Sequence, residues 1–378
     1  MQQSSPPTHP KRRAPTEVNA ARSAWPAART RYTTATRISF DIARGKFLTL
    51  LGPSGCGKTT TLMSIAGLHG IDAGSIRVGG ITYTSKAEGI FLPPEKRNIG
   101  MVFQSYAIWP HMTVAQNVAY PLEIRKLPPD ETSERVAQAL RLVGLAAMAE
   151  KPATQLSGGQ QQRTALARAI VARPRLLLFD EPLSNLDLKL REQMRVELKR
   201  IQHEVGITSI YVTHDQAEAL VMSDEVVVMR KGAIVQKGNP QDIYTRPVNA
   251  YVSNFIGAAN LIKGRVVAVT TPGRGEVELM EGAKTVRLPC LLGEEIKAGE
   301  CAVVLVRPES VRASRERDTD ARIEGEVSQL IFLGNCIDCR VRWGTFEWKV
   351  LAHPRASLRK GEKVYLKLDP ERTLAVEP

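Results

Sequence analysis

Gly52-Pro53-Ser54-Gly55-Cys56-Gly57-Lys58-Thr59 is the stretch that decides how this chain folds. It fits G-x-x-x-x-G-K-[ST], a turn in which glycines let successive backbone N–H groups point inward at phosphate oxygens. The apolar run Phe47–Leu51 before it reads as a strand, and Lys58 to about Ala66 reads as a helix. That order puts the loop at a helix N-terminus, where the positive end of the helix dipole also faces the anion. Lys58 can then reach the β- and γ-phosphates of a nucleoside triphosphate, and the Thr59 hydroxyl can ligate Mg²⁺. Gly52 through Thr59, with Thr60 behind them, are the candidate nucleotide-binding residues.

Downstream, Leu176-Leu177-Leu178-Phe179-Asp180-Glu181 is an apolar strand ending in two acids. In an open α/β sheet such an end lies where ligands bind. Asp180 can hold Mg²⁺ opposite Thr59, and Glu181 can orient or deprotonate an attacking water. Leu156-Ser157-Gly158-Gly159-Gln160 opens another helical pattern (Ala165, Leu166, Ala169, Ile170) and forms a second glycine-bearing helix start. Val102-Phe103-Gln104 sets a glutamine after an apolar run, and Tyr211-Val212-Thr213-His214 sets a histidine at a strand end. Val136, Leu140 and Val143 sit at i, i+4, i+7, with Asp130 as expected N-cap and Gly144 as stop. Buried strands separated by helices point to a mainly parallel sheet covered on both faces.

The chain has 378 residues and a formal net charge of +13. Hydrophobic residues make up 43% and charged residues 24%, which excludes a wholly disordered or fibrous chain. Apolar runs such as Leu176–Phe179 and Val226–Met229 are far short of the roughly 20 residues that span a bilayer. Five cysteines do not make a disulfide framework in a chain this long, so a reducing compartment is expected. The N-terminus lacks an apolar segment of the secretory type. Cys336-x-x-Cys339 has metal or redox spacing, but no histidine lies nearby and the pair reads as ordinary thiols.

Three regions follow. Residues 1–36 are basic and Pro-rich and are expected to be a disordered tail; residues 1–37 carry seven basic residues against Glu17 alone. Residues 37–238 read as the α/β nucleotide-binding domain. Residues 239–378 read as a small all-β domain, with strands expected at Leu261–Val269, Glu276–Met280, Thr285–Leu288, Ala302–Val306, Ile323–Phe332, Cys339–Trp343 and Lys363–Leu368.

Together the motifs resemble the ATP-binding subunit of an ATP-binding cassette (ABC) transporter. Phosphate loop, Q-loop (Gln104), signature (Ser157–Gln160), acidic strand end, D-loop (Ser184–Asp187) and switch histidine occur in the family's order. Asn254–Gly257 and Val306–Glu309 resemble the TOBE (transport-associated OB-like) domain of sugar, polyamine and ferric-iron importers. The resemblance implies an α/β P-loop NTPase fold with a mixed core sheet, a helical subdomain at about 105–172, and an OB-like domain after it. It implies ATP and Mg²⁺ as cofactors, with Thr59, Gln104 and Asp180 around the metal. Glu181, His214 and Gln104 are then catalytic. Ser157, Gly158, Gly159, Gln160 and Asp187 contact the nucleotide, the signature residues doing so from a second copy in a head-to-tail ATP-sandwich homodimer.

The implied partners are two transmembrane permease subunits and, indirectly, an extracytoplasmic solute-binding protein, with no nucleic acid. The implied location is peripheral, on the cytoplasmic face of the inner membrane, and the cargo ferric iron or a polyamine. A nucleic-acid-associated ATPase of the same superfamily is the alternative. It is weakened by the 99 positions between Lys58 and Ser157, which hold no coiled-coil heptads. The sequence departs from the family where an adenine-stacking aromatic is expected, ahead of Ile38. Tyr32 is the candidate there, with Trp25 the other aromatic.

Overall fold

In a computed structural model, the described residues are 16–18, 38–293, 296–318 and 322–377. Two compact units result, residues 1–240 and 241–378. Within the stretch expected to be a tail, Thr16–Val18 (β1) pairs antiparallel with Phe40–Ile42 (β2). The rest of that stretch, including Tyr32 and Trp25, lies outside the described residues.

Phe47–Leu51 (β3) is buried at all five positions and leads through the glycine loop into Lys58–Ala66 (α1). Ser75–Val78 (β4), Ile81–Ser85 (β5) and Ile90–Phe91 (β6) form a separate antiparallel sheet. Ile99–Val102 (β7) is followed by three helices, Val114–Ile124 (α2), Pro129–Leu142 (α3) and Gly158–Ile170 (α4). Their apolar faces share one core with Phe47, Phe179 and Tyr211. Pro128, not Asp130, occupies the N-cap of α3; Pro129 at the first helical position needs no N–H donor, so the helix starts two residues earlier than expected.

Leu176–Asp180 (β8), Leu188–Val205 (α5), Thr208–Thr213 (β9), Gln216–Met222 (α6), Glu225–Arg230 (β10) and Ala233–Gly238 (β11) complete this unit. The six-stranded sheet has the order β11-β10-β3-β9-β8-β7. Its five inner-to-edge neighbours from β10 to β7 are parallel, and only β11 runs antiparallel, on the edge. The continuous apolar runs of β3, β8 and β9 explain why: strands covered on both faces have no polar side to show.

The registers matter most for the site. Leu51 pairs with Thr213, and Asp180 pairs with Val212. Gly52, Glu181 and His214 therefore leave the sheet at one edge, each one residue past its strand.

The second unit, residues 241–378, begins within the short helix Pro240–Thr245 (α7), and Ala250–Phe255 (α8) precedes the strands. Asn260–Thr271 (β12), Arg274–Glu281 (β13), Lys284–Leu292 (β14), Cys301–Val306 (β15), Val311–Ser314 (β16), Ile323–Phe332 (β17), Ile337–Trp343 (β18), Phe346–Ala352 (β19), Lys363–Leu368 (β20) and Thr373–Val376 (β21) follow. β12, β13, β14, β21 and β15 close into a barrel, and β16, β20, β17, β18 and β19 form a five-stranded sheet. One apolar core around Trp343 and Trp348 serves both. β16, β19 and β21 go beyond the strands expected from sequence. Cys339 is fully buried in that core, and burial pushes its thiol up to about 11; Cys336 lies outside the strands.

Arg97 supports the phosphate-binding helix from behind. It is fully buried, and its guanidinium donates to the carbonyls of Ser64 and Ile65 at the end of α1 (2.9 and 2.8 Å), to Leu92 O and to Thr84 Oγ1. Helix-end carbonyls have no partners within the helix, so this side chain supplies them. The Tyr83 and Phe91 rings lie 5.5 and 5.3 Å from the cation. Arg97→Met keeps the apolar stem and removes the donors. It is expected to lower stability by about 3 kcal/mol, because several buried acceptors lose their partners. Urea unfolding followed by circular dichroism checks this; an unchanged midpoint would show that the carbonyls are satisfied otherwise.

Candidate functional site

The glycine loop is shaped by close approach. A Cβ on Gly52 would lie 2.6 Å from both Cys56 Sγ and Met229 O, so the loop could not close against β10 with any other residue. Gly57, the N-cap of α1, has φ +103° and contributes no side-chain cap. The first N–H groups of α1 are thus left for another acceptor. Lys58 is buried and reaches back across the loop to the carbonyls of Gly52 (2.8 Å) and Pro53 (3.0 Å). Pro53, Ser54 and Gly55 are exposed, Cys56 is buried behind them, and Thr60 is half-buried on α1.

Thr59 Oγ1 donates to Asp180 Oδ1 at 3.1 Å, which brings two of the expected metal-site residues together. Burial pushes the Asp180 carboxyl up; the Thr59 hydrogen bond opposes the rise and the charge of Glu181 adds to it. Gln104, the third, is turned toward the D-loop instead. Its Nε2 donates to Ser184 Oγ (3.1 Å) and its carbonyl accepts from Asn185 Nδ2 (2.9 Å). A hydroxyl, a carboxylate and an amide form an oxygen-rich donor set that suits a hard cation such as Mg²⁺.

Glu181 and His214 form the second contact, Oε2 to Nδ1 at 3.1 Å. The Glu181 side chain is 21% exposed and that of His214 58%. Glu181 has φ +44°, a left-handed conformation that a glutamate adopts only when held. Its N–H bonds Val212 O (3.1 Å), and its carbonyl accepts from Ser184 N (3.2 Å) and Ser184 Oγ (2.9 Å). Sequence reasoning gave Ser184 no such role, since carbonyl capture by a serine three residues on leaves no motif.

Ser157 caps α4 with a capping box: its Oγ accepts from Gln160 N, and Gln160 Oε1 accepts from Ser157 N (3.0 Å). Ser157 and Gly158 are exposed and Gly159 is packed under Leu190. Among the described residues, no hydrogen bond or ion pair links Ser157–Gln160 to the glycine loop of the same chain. Asp187 is accounted for locally, as N-cap of α5 accepting from Leu190 N (2.9 Å).

Behind His214 lies a network absent from the sequence reading. Glu218 is buried and accepts from Tyr211 OH (2.8 Å) and Thr213 Oγ1 (2.6 Å); Asp215 caps α6 and pairs with Arg195 (3.0 Å). Burial pushes the Glu218 carboxyl up, against the two donated hydrogen bonds.

The "ABC transporter" family matches residues 35–184, and the "TOBE domain" family matches residues 304–376. The spermidine/putrescine import ATP-binding protein PotA of Acetivibrio thermocellus is 44% identical over 333 residues, covering 88% of this chain and 89% of that protein. The protein of the same name from Thermobifida fusca is 47% identical over 307 residues, covering 81% of this chain and 77% of that protein. A solved structure of cbiO1 from Clostridium perfringens, part of the ABC transporter complex cbiONQ, superposes with a TM-score of 0.54 at 30% identity. It covers 60% of this chain and 89% of that one.

A carboxyl whose folded pKa is raised binds a proton on folding. Its favourable contribution is complete below the unfolded value and is lost as pH rises through the folded one. Glu218→Gln removes that dependence. As pH rises above about 4, the value of an unfolded glutamate, the stability of the wild type is expected to fall relative to the variant. Urea midpoints of both proteins as pH rises from there are the check, and a constant difference would mean that Glu218 titrates normally.

Proposed function

This chain belongs to the family of ABC transporter ATP-binding proteins, and from that premise we propose what it drives and how its residues share the work. It binds ATP and hydrolyses it, powering the import of a solute. No helix among the described residues is long and apolar enough to cross a membrane. The passage itself then belongs to other chains: two membrane-spanning permease subunits, fed by an extracytoplasmic solute-binding protein, with this subunit on the cytoplasmic face of the inner membrane. The polyamines spermidine and putrescine are the proposed cargo, rather than ferric iron, because they are named for relatives that align over most of their length. Those relatives give no support to a nucleic-acid-associated role.

The observation that carries the catalytic reading is the pairing of Thr59, at the start of α1, with Asp180 and of Glu181 with His214 past neighbouring strand ends. The N–H groups of the glycine loop, the start of α1 and Lys58 bind the phosphates. Thr59 and Asp180 would hold Mg²⁺, with the Oε1 of Gln104, whose Nε2 is engaged by Ser184, as a third donor, and the ion would neutralise phosphate charge. Glu181 accepts the proton of the attacking water as its oxygen bonds the γ-phosphorus, and the bond to the bridging oxygen of ADP breaks. His214, tied to Glu181 through Nδ1, holds the carboxylate and presents its other nitrogen toward the γ-phosphate. A second copy, arranged head to tail, supplies the Ser157–Gly159 helix start to the open side of the nucleotide, excluding water from the reacting centre.

Glu181→Gln is expected to cut turnover by roughly 10²–10⁴-fold. ATP binding should persist and an ATP-bound dimer should accumulate on size-exclusion chromatography; turnover at the wild-type rate would remove Glu181 from this role. For the cargo, cells deleted for this chain are expected to lose uptake of labelled spermidine and putrescine and to keep that of ferric iron. The reverse pattern would reassign the transporter.

A further inference from the structure

Arg168 lies near the end of α4, with only 9% of its surface exposed and no carboxylate among its hydrogen-bond partners in the described residues. Its guanidinium donates to Ala107 O (2.6 Å) and to Tyr106 O (2.7 Å), and it lies 4.6 Å above the Trp109 ring. That ring packs on Tyr120 of α2, with centroids 4.2 Å apart. The backbone of Trp109 is fixed on both sides by Asn117, whose Oδ1 accepts from Trp109 N (2.9 Å) and whose Nδ2 donates to Trp109 O (3.1 Å).

The held segment is strained. Tyr106 has φ +61° and Ala107 has φ +47°, two consecutive left-handed residues, neither of them glycine. Each is disfavoured by roughly five- to thirtyfold relative to right-handed backbone. This turn begins two residues after Gln104 and is closed by Tyr106 N–H on Phe103 O (3.0 Å). From Gln104 the contacts continue through its Nε2 to Ser184 Oγ, and from Ser184 Oγ to the carbonyl of Glu181.

We propose that Arg168 is a positioning residue for hydrolysis: by gripping the Tyr106–Ala107 carbonyls it keeps the turn left-handed, and so keeps Gln104 against Ser184 beside Glu181. The proposal rests on the reading of Glu181 as the catalytic carboxylate. The same helix starts at Ser157–Gly158, so one rigid element joins the end offered to a second copy with the turn that orients Gln104. Displacement of α4 is transmitted to the turn through two hydrogen bonds and a stacked ring. The bidentate fork is essential, because one ammonium cannot align on two successive carbonyls and stack on Trp109 at once.

The test uses the full chain and the variants Arg168→Ala, Arg168→Lys and Ala107→Gly, alone and combined. Arg168→Lys keeps the charge and the stem and serves if Arg168→Ala does not fold. Arg168→Lys is expected to lower kcat about tenfold with KM for ATP changed less than twofold. Ala107→Gly alone should stay within twofold of wild type. Added to Arg168→Lys, it should restore kcat about fivefold, because glycine holds a left-handed turn without a clamp. Hydrogen exchange of residues 103–112 should quicken in Arg168→Lys and slow again in the double variant. Wild-type kcat in Arg168→Lys, a loss confined to KM, or no gain in the double variant overturns the proposal. Glu181→Gln runs in parallel: full turnover there sinks the reading of the site, whereas the exchange data still judge the clamp.

Discussion

The parallel ladder β3-β9-β8 is the constraint on which the rest of the first unit depends. With Leu51 opposite Thr213 and Val212 opposite Asp180, three separate segments leave the sheet within one residue of the same edge. A slip of one residue in any strand would turn its apolar set over and displace its polar end together. Because β3, β8 and β9 are buried on both faces, such a slip has no compensating partner. Burial that fixes the core therefore also fixes the distance between Thr59 and Asp180 and between Glu181 and His214.

A second device recurs through the chain. Arg97, Arg168 and Arg307 are all nearly buried, and each gathers main-chain carbonyls rather than a carboxylate. Arg97 collects the end of α1; Arg307 collects Ser253, Gly257, Ala258 and Tyr244 and stacks on Tyr244, 4.2 Å from the ring. Burial lowers the pKa of all three, the cost of desolvating a cation. A guanidinium is suited to this use because it has five donors in a plane and is more weakly hydrated than an ammonium. Such residues join irregular segments where no regular ladder can reach.

The sequence made the regular part legible. Strand, glycine loop and helix around Lys58 stood in the pattern itself, as did the acids after β8 and the histidine after β9, because strict spacing is needed wherever a backbone must curl around phosphate. In the second unit, alternating residues marked most strands, but β16 and β21, at four residues each, are too short to show a period. β19 has the alternation Phe346, Trp348, Val350 facing inward and was hidden by its tight hairpin with β18. Contacts made by single side chains, outside any repeating pattern, had no signature. Ser184 under Glu181 and Glu218 under Thr213 reach only three and five residues along the chain, and Arg168 under Ala107 reaches across sixty-one. Asp187 shows the converse: a motif position whose carboxylate also serves locally as the N-cap of α5.

The exposure of the Glu181–His214 pair carries a consequence for catalysis. His214 is more than half exposed and Glu181 about one-fifth, so solvent reaches the pair from the histidine side and weakens its electrostatic contact. The left-handed backbone of Glu181 and its contact with His214 hold the carboxylate in one place in a lone chain. What it lacks is a cover. The strength of every donor directed at a developing phosphate charge rises as water is excluded. A helix start laid over the loop would add fixed N–H donors at the same time. Ser157 and Gly158 form such a start, exposed and pre-shaped by their capping box, on the helix that Arg168 ties to the Gln104 turn. Closure and alignment would then be one event, since the element that covers one site is rigidly joined to the residue that orients the other.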